Sequence, residues 1–539
     1  MSIKQFPGGI ITKNPTAPTT AAAKGIWTLG QASDFVKQGI WPRSPGAPTI
    51  GTATATGATT ATVAFTVPTD LGAGSITYLA TSSPAGGSGT GSSSPVTVTG
   101  LTGSTSYTFV VQGVTPGGTG PASAASNLIT TSPPAAYFIG YTVCDNNTLG
   151  NVSSIDSDGN MYVIGSTKTS ASSAMQVLKF NNQGVLQWQK EIGASDDRGL
   201  AVTTDSSGNV YVCGRTFVSG VPNFLTIKLD SSGASQWQKA LSNVIFVTDV
   251  KIDSGNNVIV VGAGTSDNTQ IAKYNSSGTL QWQKQLQQAS YILGENEVAV
   301  DSSDNIYISG TMIEGGYFYS IVAKYNSSGT LQWQNKFGGS SKNQYGNSIA
   351  TDASGNVVIC GYTDFTGTAE FLIYKLNSSG TLQWQRTFGD VYDQGYGIAT
   401  DSSDNVYIIG EGYYASNNFT FAKFNSSGTI QLQRQLGGGL SDLGRSIRVA
   451  SDGAIYICGY TQSGYKGFMY ARLPNDGSLT GTYTVGAQSI SYAASSFTVT
   501  TPSLTNSTST KADTTTTFTD SSTSRTVANS VLTPEVTTI

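Results

Sequence analysis

The sequence predicts an all-β chain: a small β-sandwich followed by a seven-bladed β-propeller, with a short helical segment in front and a polar tail behind. Three observations lead there. Runs of Val, Ile, Thr and Tyr lie between Gly/Ser/Asn turns, and 64 of the 539 residues are glycine. A ten-residue phrase, 205-DSSGNVYVCG-214, returns as 301-DSSDNIYISG-310, 352-DASGNVVICG-361 and 401-DSSDNVYIIG-410. Its first position falls at Asp156, Asp205, Asp253, Asp301, Asp352 and Asp401, with a degenerate seventh copy at Ala450, spaced 48 to 51 residues apart. A fixed period of that size marks a propeller, solenoid or array.

Residues 1–45 cannot build a core alone. They hold one helix signal, 25-GIWTLGQASDFVKQGIWP-42. Thr28 and Gln31 form a capping box, Leu29, Ala32, Phe35 and Val36 an apolar face, and Gly39 the stop. Trp27 and Trp41 flank it, so Trp27, Leu29, Phe35, Val36 and Trp41 are the candidate docking surface. The pattern resembles an N-terminal segment of tailed-phage virion proteins, which implies an attachment end.

Residues 46–133 read as short strands at 60–68, 75–82, 95–100 and 105–115. In 101-LTGSTSYTFVV-111 a Tyr follows a Leu by six residues on a strand continuing Phe-Val-Val. This resembles the tyrosine corner of a fibronectin type III domain. The core Trp expected on the second strand is absent, and Phe65 stands in its place.

The propeller domain, residues 137–486, holds the repeats from about 149 to 486, and each divides into four apolar runs. The second reads 199-GLAVTTD-205, 209-NVYVCGRT-216, 224-FLTIKLD-230 and 234-ASQWQKAL-241, with SSG between the first two and again between the last two. Four antiparallel strands joined by tight turns make a propeller blade. In 224–230, Phe224, Thr226, Lys228 and Asp230 face one way and Leu225, Ile227 and Leu229 the other. Trp188, Trp237, Trp282, Trp333 and Trp384 recur on the fourth strand, replaced by Leu432 and Gly481 in the last two copies. They are read as packing between blades. Lys179, Lys228, Lys273, Lys324, Lys375, Lys423 and Arg472 recur on the third strand and are expected to pair with an acidic or carbonyl group of the same or the next blade. The D-x-x-G-N-x-Y-x-x-G core and the following A-K-[FY]-N-S-S-G-T-L-Q-W-Q resemble the SBBP-type β-propeller repeat family, which implies a scaffold and brings no catalytic residues with it.

Consecutive connections in a blade alternate between the faces of the ring. The DSSGN and NSSGT turns therefore share one face and the variable loops the other. Variable loops on a rigid scaffold are where binding residues gather. Here they are aromatic: Tyr317, Phe318, Tyr319, Tyr345, Tyr392, Tyr396, Tyr413 and Tyr414 are the candidate ligand-binding residues.

The tail, 487–539, is dominated by Ser and Thr and would be disordered by composition unless an assembly ordered it. Such ends resemble those of phage appendage proteins.

Composition narrows the chemistry. There is no histidine, which excludes Ser-His-Asp and Cys-His catalysis and histidine-based zinc sites. Charged residues are 11% and the net charge is −4, so nucleic acid is not an expected partner. No apolar run has the length of a membrane span, and the first twenty residues carry no signal-peptide core. Of Cys144, Cys213, Cys360 and Cys458, the last three precede the same repeat glycine and are expected to be small buried strand residues. No copy-breaking carboxylate pair or Tyr/Arg/Lys set for the central channel stands out, so the chain is expected not to be an enzyme and to use no cofactor or metal.

The resulting expectation is a phage virion structural protein: a fibre, tail-associated or capsid-surface appendage, made in the host cytoplasm and displayed on the particle. It would anchor by its N-terminus to other virion proteins, with the tail as a second contact, form part of a larger assembly or homo-oligomer, and present the propeller to a host-surface glycan or protein. The alternatives are a purely structural virion subunit and a bacterial adhesin or carbohydrate-binding protein.

Overall fold

The computed structural model describes Asp34, residues 43–143 apart from 73, and most of 152–538. Within 152–538 the exceptions are 169–172, 194–196, 219–220, 242–243, 265–267, 288–296, 339–342, 365–368, 390–392, 415, 439–440, 462–466, 486–487, 495–498, 501–504, 509–512, 516–519, 523–526 and 530–533. The chain divides into two compact units, Met1–Ala135 and Ala136–Ile539. The predicted helix at 28–38 lies outside the described residues apart from Asp34.

The first unit is a β-sandwich. One sheet pairs Thr49–Ala55, Ala61–Thr66 and Val96–Val98; the other orders Ser88–Gly91, Thr77–Ser83, Ser106–Thr115 and Gly118–Ala122, with Ile129–Thr130 also on Ser106–Thr115. The strand Thr49–Ala55 was not foreseen, because TIGTATA offers little apolar alternation. The tyrosine corner is present: the Tyr107 hydroxyl accepts a hydrogen bond from the Thr102 N–H at 3.0 Å. Phe65 is buried and packs on Tyr78 with ring centroids 4.6 Å apart, filling the place of the missing Trp.

The second unit is the propeller. Its seven sheets carry the seven repeats in order, each beginning with an inner strand that ends at the DSSGN turn. In the six turns that begin with aspartate, that residue organises its own backbone: Asp205 Oδ1 accepts the N–H groups of Ser207 and Asn209, both at 2.9 Å, while Oδ2 accepts Asn209 Nδ2 and the Tyr211 hydroxyl. Asp156 is engaged in the same way by Asp158, Asn160 and Tyr162.

The apolar cores lie between blades. Phe224 packs toward the third blade, with Val247 and Val258, whereas Leu225, Ile227 and Leu229 pack toward the first, with Ile164 and Val177. The two faces read from the alternation are thus the two neighbouring blades. Polar rivets complete five of the seams. Trp188, Trp237, Trp282, Trp333 and Trp384 donate Nε1–H to the carbonyls of Ser231, Ser276, Ser327, Ser378 and Ser426 of the following blade. Lys179, Lys228, Lys273, Lys324 and Lys375 donate to the same five carbonyls. Cys213, Cys360 and Cys458 are buried and form no disulfide among the described residues, and burial pushes the Cys213 thiol up to about 12.

Two features differ from the sequence reading. The seventh blade does not take its fourth strand from around Gly481. Phe138–Val143, from before the first repeat, pairs with Gly467–Leu473 in that place and closes the ring. Gly481–Val485 instead joins Gln488–Ala494 on the outside of the sixth blade. The tail then continues around the ring. Val499–Thr500, Thr505–Thr508, Asp513–Thr515, Asp520–Ser522 and Val527–Asn529 add an outer strand to the fifth, fourth, third, second and first blades, and Pro534–Thr538 pairs with Phe138–Val143. A Ser/Thr-rich segment without a core of its own thus pairs with seven sheet edges of its own chain.

Candidate functional site

The variable-loop face is built where second and third strands meet. In the fourth blade Ile306–Glu314 and Tyr317–Tyr325 are joined by Gly315 and Gly316 alone. Both glycines have positive φ, 60° and 85°, as a tight two-residue hairpin requires. This turn holds Tyr317 out, 38% exposed. Behind it Phe318 stacks on Tyr345 at 5.0 Å and Tyr345 on Tyr362 at 4.1 Å, with interplanar angles of 28° and 12°. Asn343 fixes this ladder: its Oδ1 accepts the Phe318 N–H at 3.1 Å, and its own Nδ2 donates to Asp364 Oδ2 at 2.7 Å. Burial, aided by the Asp364 charge, holds the Tyr345 hydroxyl above its ordinary range. Tyr319 lies under Lys336, 5.1 Å from its Nζ, and Lys336 pairs with Glu314.

A second group stands between the sixth and seventh blades. The Tyr396 hydroxyl lies 2.7 Å from Gln394 Oε1 and 3.1 Å from Glu411 Oε1, and the Arg445 guanidinium is 4.0 Å from the Tyr396 ring centre. Burial raises the Glu411 carboxyl above the usual range, against the pull of Tyr396 and Arg445.

The structure thus brings Phe318, Tyr345 and the unforeseen Tyr362 into one stack, and places Tyr396 with Glu411 and Arg445. Tyr413 and Tyr414 end the strand Val406–Tyr414 opposite Asn417 and Ser416, and only their backbone is described. Tyr392 and the docking candidates Trp27, Leu29, Phe35, Val36 and Trp41 lie outside the described residues.

The central channel corrects one reading. It does hold a copy-breaking charged cluster. Two residues before the turn aspartate the copies read Ser154, Thr203, Lys251, Ala299, Ala350, Ala399 and Arg448; four before it, Val152, Ala201, Asp249, Glu297, Ser348, Gly397 and Ser446. The charges therefore fall only in the third, fourth and seventh blades. Asp249 Oδ2 is 2.5 Å from Lys251 Nζ and accepts the Val298 N–H at 3.1 Å, while Oδ1 accepts the Val250 N–H at 2.8 Å. Glu297 accepts a hydrogen bond from Ser348 Oγ. Burial, reinforced by the Asp249 charge and opposed by Lys251, Ser348 and Arg448, pushes its carboxyl up to about 8. Lys251, Glu297 and Arg448 border a cavity of about 220 Å³. The cluster was missed because the copies were compared along the DSSGN phrase; aligning the inner strands displays it. A larger groove, about 710 Å³, runs beside Trp384, Lys375 and Ser426, but its polar groups are those of the blade rivet.

Comparison with known proteins agrees with this architecture. Residues 46–129 match the fibronectin type III domain family, and residues 173–410 match the family described as outer membrane protein assembly factor BamB. The chain therefore carries a fibronectin type III domain and a β-propeller-like repeat region of that type. No curated protein sequence matches the chain. Similar solved structures include a polysaccharide lyase, an ulvan lyase, at 12% identity, covering 63% of this chain and 96% of that one with a TM-score of 0.44. They also include the periplasmic gluconolactonase of Pseudomonas aeruginosa (10% identity, 55% and 94% covered, TM-score 0.39) and an exotype rhamnogalacturonan lyase (11%, 80% and 91%, 0.35). The expectation that the chain is not an enzyme is corrected on this finding. Enzymes stand among its structural neighbours, and the channel cluster whose absence supported the exclusion is present.

Proposed function

We propose that the protein is an attachment subunit that presents the variable-loop face of its propeller to a carbohydrate surface, displayed on a phage particle as a fibre, tail-associated or capsid-surface appendage. The observation that carries the glycan reading is the Phe318–Tyr345–Tyr362 stack with Tyr317 exposed at its tip. Flat aromatic faces with polar edges suit the C–H faces and hydroxyls of sugars. Tyr396, Glu411 and Arg445 add a charged hydrogen-bonding group on the same side of the ring, suited to hydroxyl or acidic substituents. The virion reading rests on the resemblance of 25-GIWTLGQASDFVKQGIWP-42 to phage virion segments and on the order of parts: anchor segment, fibronectin type III spacer, propeller. Other virion proteins are the partners proposed for Trp27, Leu29, Phe35, Val36 and Trp41.

The test is a panel of bacterial surface polysaccharides bound to the full chain, compared with Tyr317→Ala and Tyr345→Ala. Saturable binding to at least one polysaccharide, weakened by both changes, is expected. Binding to none of them, or binding indifferent to both changes, contradicts the proposal.

A further inference from the structure

The cavity in the channel is separate from the tyrosine face. Its border residues, among them Ile252, Val300, Thr351 and Arg448, stand one or two positions before the DSSGN turns, so it lies at the opposite, invariant-turn end of the inner strands. Most of its wall is small or apolar, with Ala299, Ala350 and Ala399 where other blades carry charge. Three ionisable groups face this pocket, Lys251, Glu297 and Arg448, with Asp249 behind them.

We infer that this cavity is a binding site for a small organic carboxylate, with Arg448 as the principal anion partner and Glu297 as a hydrogen-bond donor. The charges support it. Asp249 and Lys251 neutralise each other at 2.5 Å, and two backbone N–H groups complete the Asp249 shell. Arg448 donates Nη1–H to its neighbour's carbonyl, Ile447, at 2.8 Å. No ion pair joins it to a carboxylate among the described residues. Burial and the Asp249 charge favour the neutral form of Glu297, which makes it a poor counter-ion for Arg448. Arg448 therefore faces the pocket without a partner carboxylate among the described residues, beside a Glu297 carboxyl whose neutral form is favoured. A carboxylate ligand supplies the counter-charge, meets a guanidinium in fork geometry and accepts the Glu297 proton in a hydrogen bond. A cavity of about 220 Å³ has room for a monosaccharide-sized acid.

The probe is D-glucuronate, titrated calorimetrically into the full chain at pH 6.5, with D-glucose as the uncharged control. Saturable binding of glucuronate and none of glucose is expected. Arg448→Gln should weaken it by about tenfold or more, with Arg448→Lys recovering part of the loss. Glu297→Gln keeps a donor and should bind at pH 6.5. It should also abolish the weakening that the unaltered protein shows as pH rises through about 8. Equal binding of glucose, no glucuronate binding to the folded chain, or undiminished binding by Arg448→Gln would overturn the assignment.

Discussion

Lys375 Nζ lies 2.6 Å from Asp352 Oδ2, and both side chains are almost wholly buried, 6% and 0% exposed. The same pair recurs in the third blade as Lys273 and Asp253 at 2.7 Å. In these two blades the residue six positions after the turn aspartate is Val358 or Ile259. In the first, second, fourth and sixth blades it is Tyr162, Tyr211, Tyr307 or Tyr407. There its hydroxyl donates to the aspartate at 2.9 to 3.0 Å, and the lysine stands over the ring. One carboxylate is thus satisfied in two ways. Where the tyrosine is lost, the lysine takes over its hydrogen bond.

This gives unequal costs for the same substitution. Lys375→Met leaves the Asp352 carboxylate buried without its cation and should cost about 3–5 kcal/mol. Lys228→Met leaves Asp205 with Tyr211, Asn209 and the turn N–H groups, and should cost about 1 kcal/mol. Urea unfolding of both variants measures the difference; equal losses would refute the exchange.

The circumferential tail should be a stabilising strap. Truncation after Ala494 removes the outer strands at 499–500, 505–508, 513–515, 520–522, 527–529 and 534–538, and opens six sheet edges. Exposed edges invite pairing with another chain. The shortened protein should melt at a lower temperature and self-associate in sedimentation velocity. An unchanged melting temperature together with an unchanged sedimentation profile would mean that the strap contributes nothing.

Glu297 should make stability fall as pH rises. Its folded-state value, about 8, lies above its ordinary 4.5, so the folded protein holds that proton more tightly than the unfolded chain does. The contribution is fully present below about 4.5 and is lost as pH rises through about 8. Glu297→Gln cannot lose a proton, so its stability should decline less across that window. Denaturation midpoints for the two proteins, taken between pH 4.5 and 9, should diverge; parallel curves would count against the burial assigned to this carboxyl.

Much of the propeller was legible because each blade repeats its own chemistry. The Trp positions were read as packing between blades and the Lys positions as pairing with a group of the same or the next blade, and in five blades the two meet on one carbonyl of the next. The alternation in 224–230 separated the two faces of that strand, which pack on the two neighbouring blades. What escaped follows a different logic. The tail strands have almost no apolar alternation, since they are held by backbone pairing to edges built elsewhere. Their spacing, close to seven residues from Asp513 to Asp520, Val527 and Pro534, was the available signal. Ring closure by Phe138–Val143 depends on a segment that precedes the repeat and carries none of its motif. The channel charges lie outside the phrase by which the copies were recognised. Of the tyrosine face, the hairpin pair was legible, whereas Tyr362 was hidden inside a repeat strand and joined the stack only through folding.

The most direct measurement of the central claim is adsorption of the fluorescently labelled full chain to intact bacterial cells, before and after periodate oxidation of their surface sugars. A glycan-binding tyrosine face gives saturable binding to a susceptible strain, lost after periodate and lost again with Tyr345→Ala. Binding that survives periodate, or no binding to any strain tested, would contradict a glycan-attachment role.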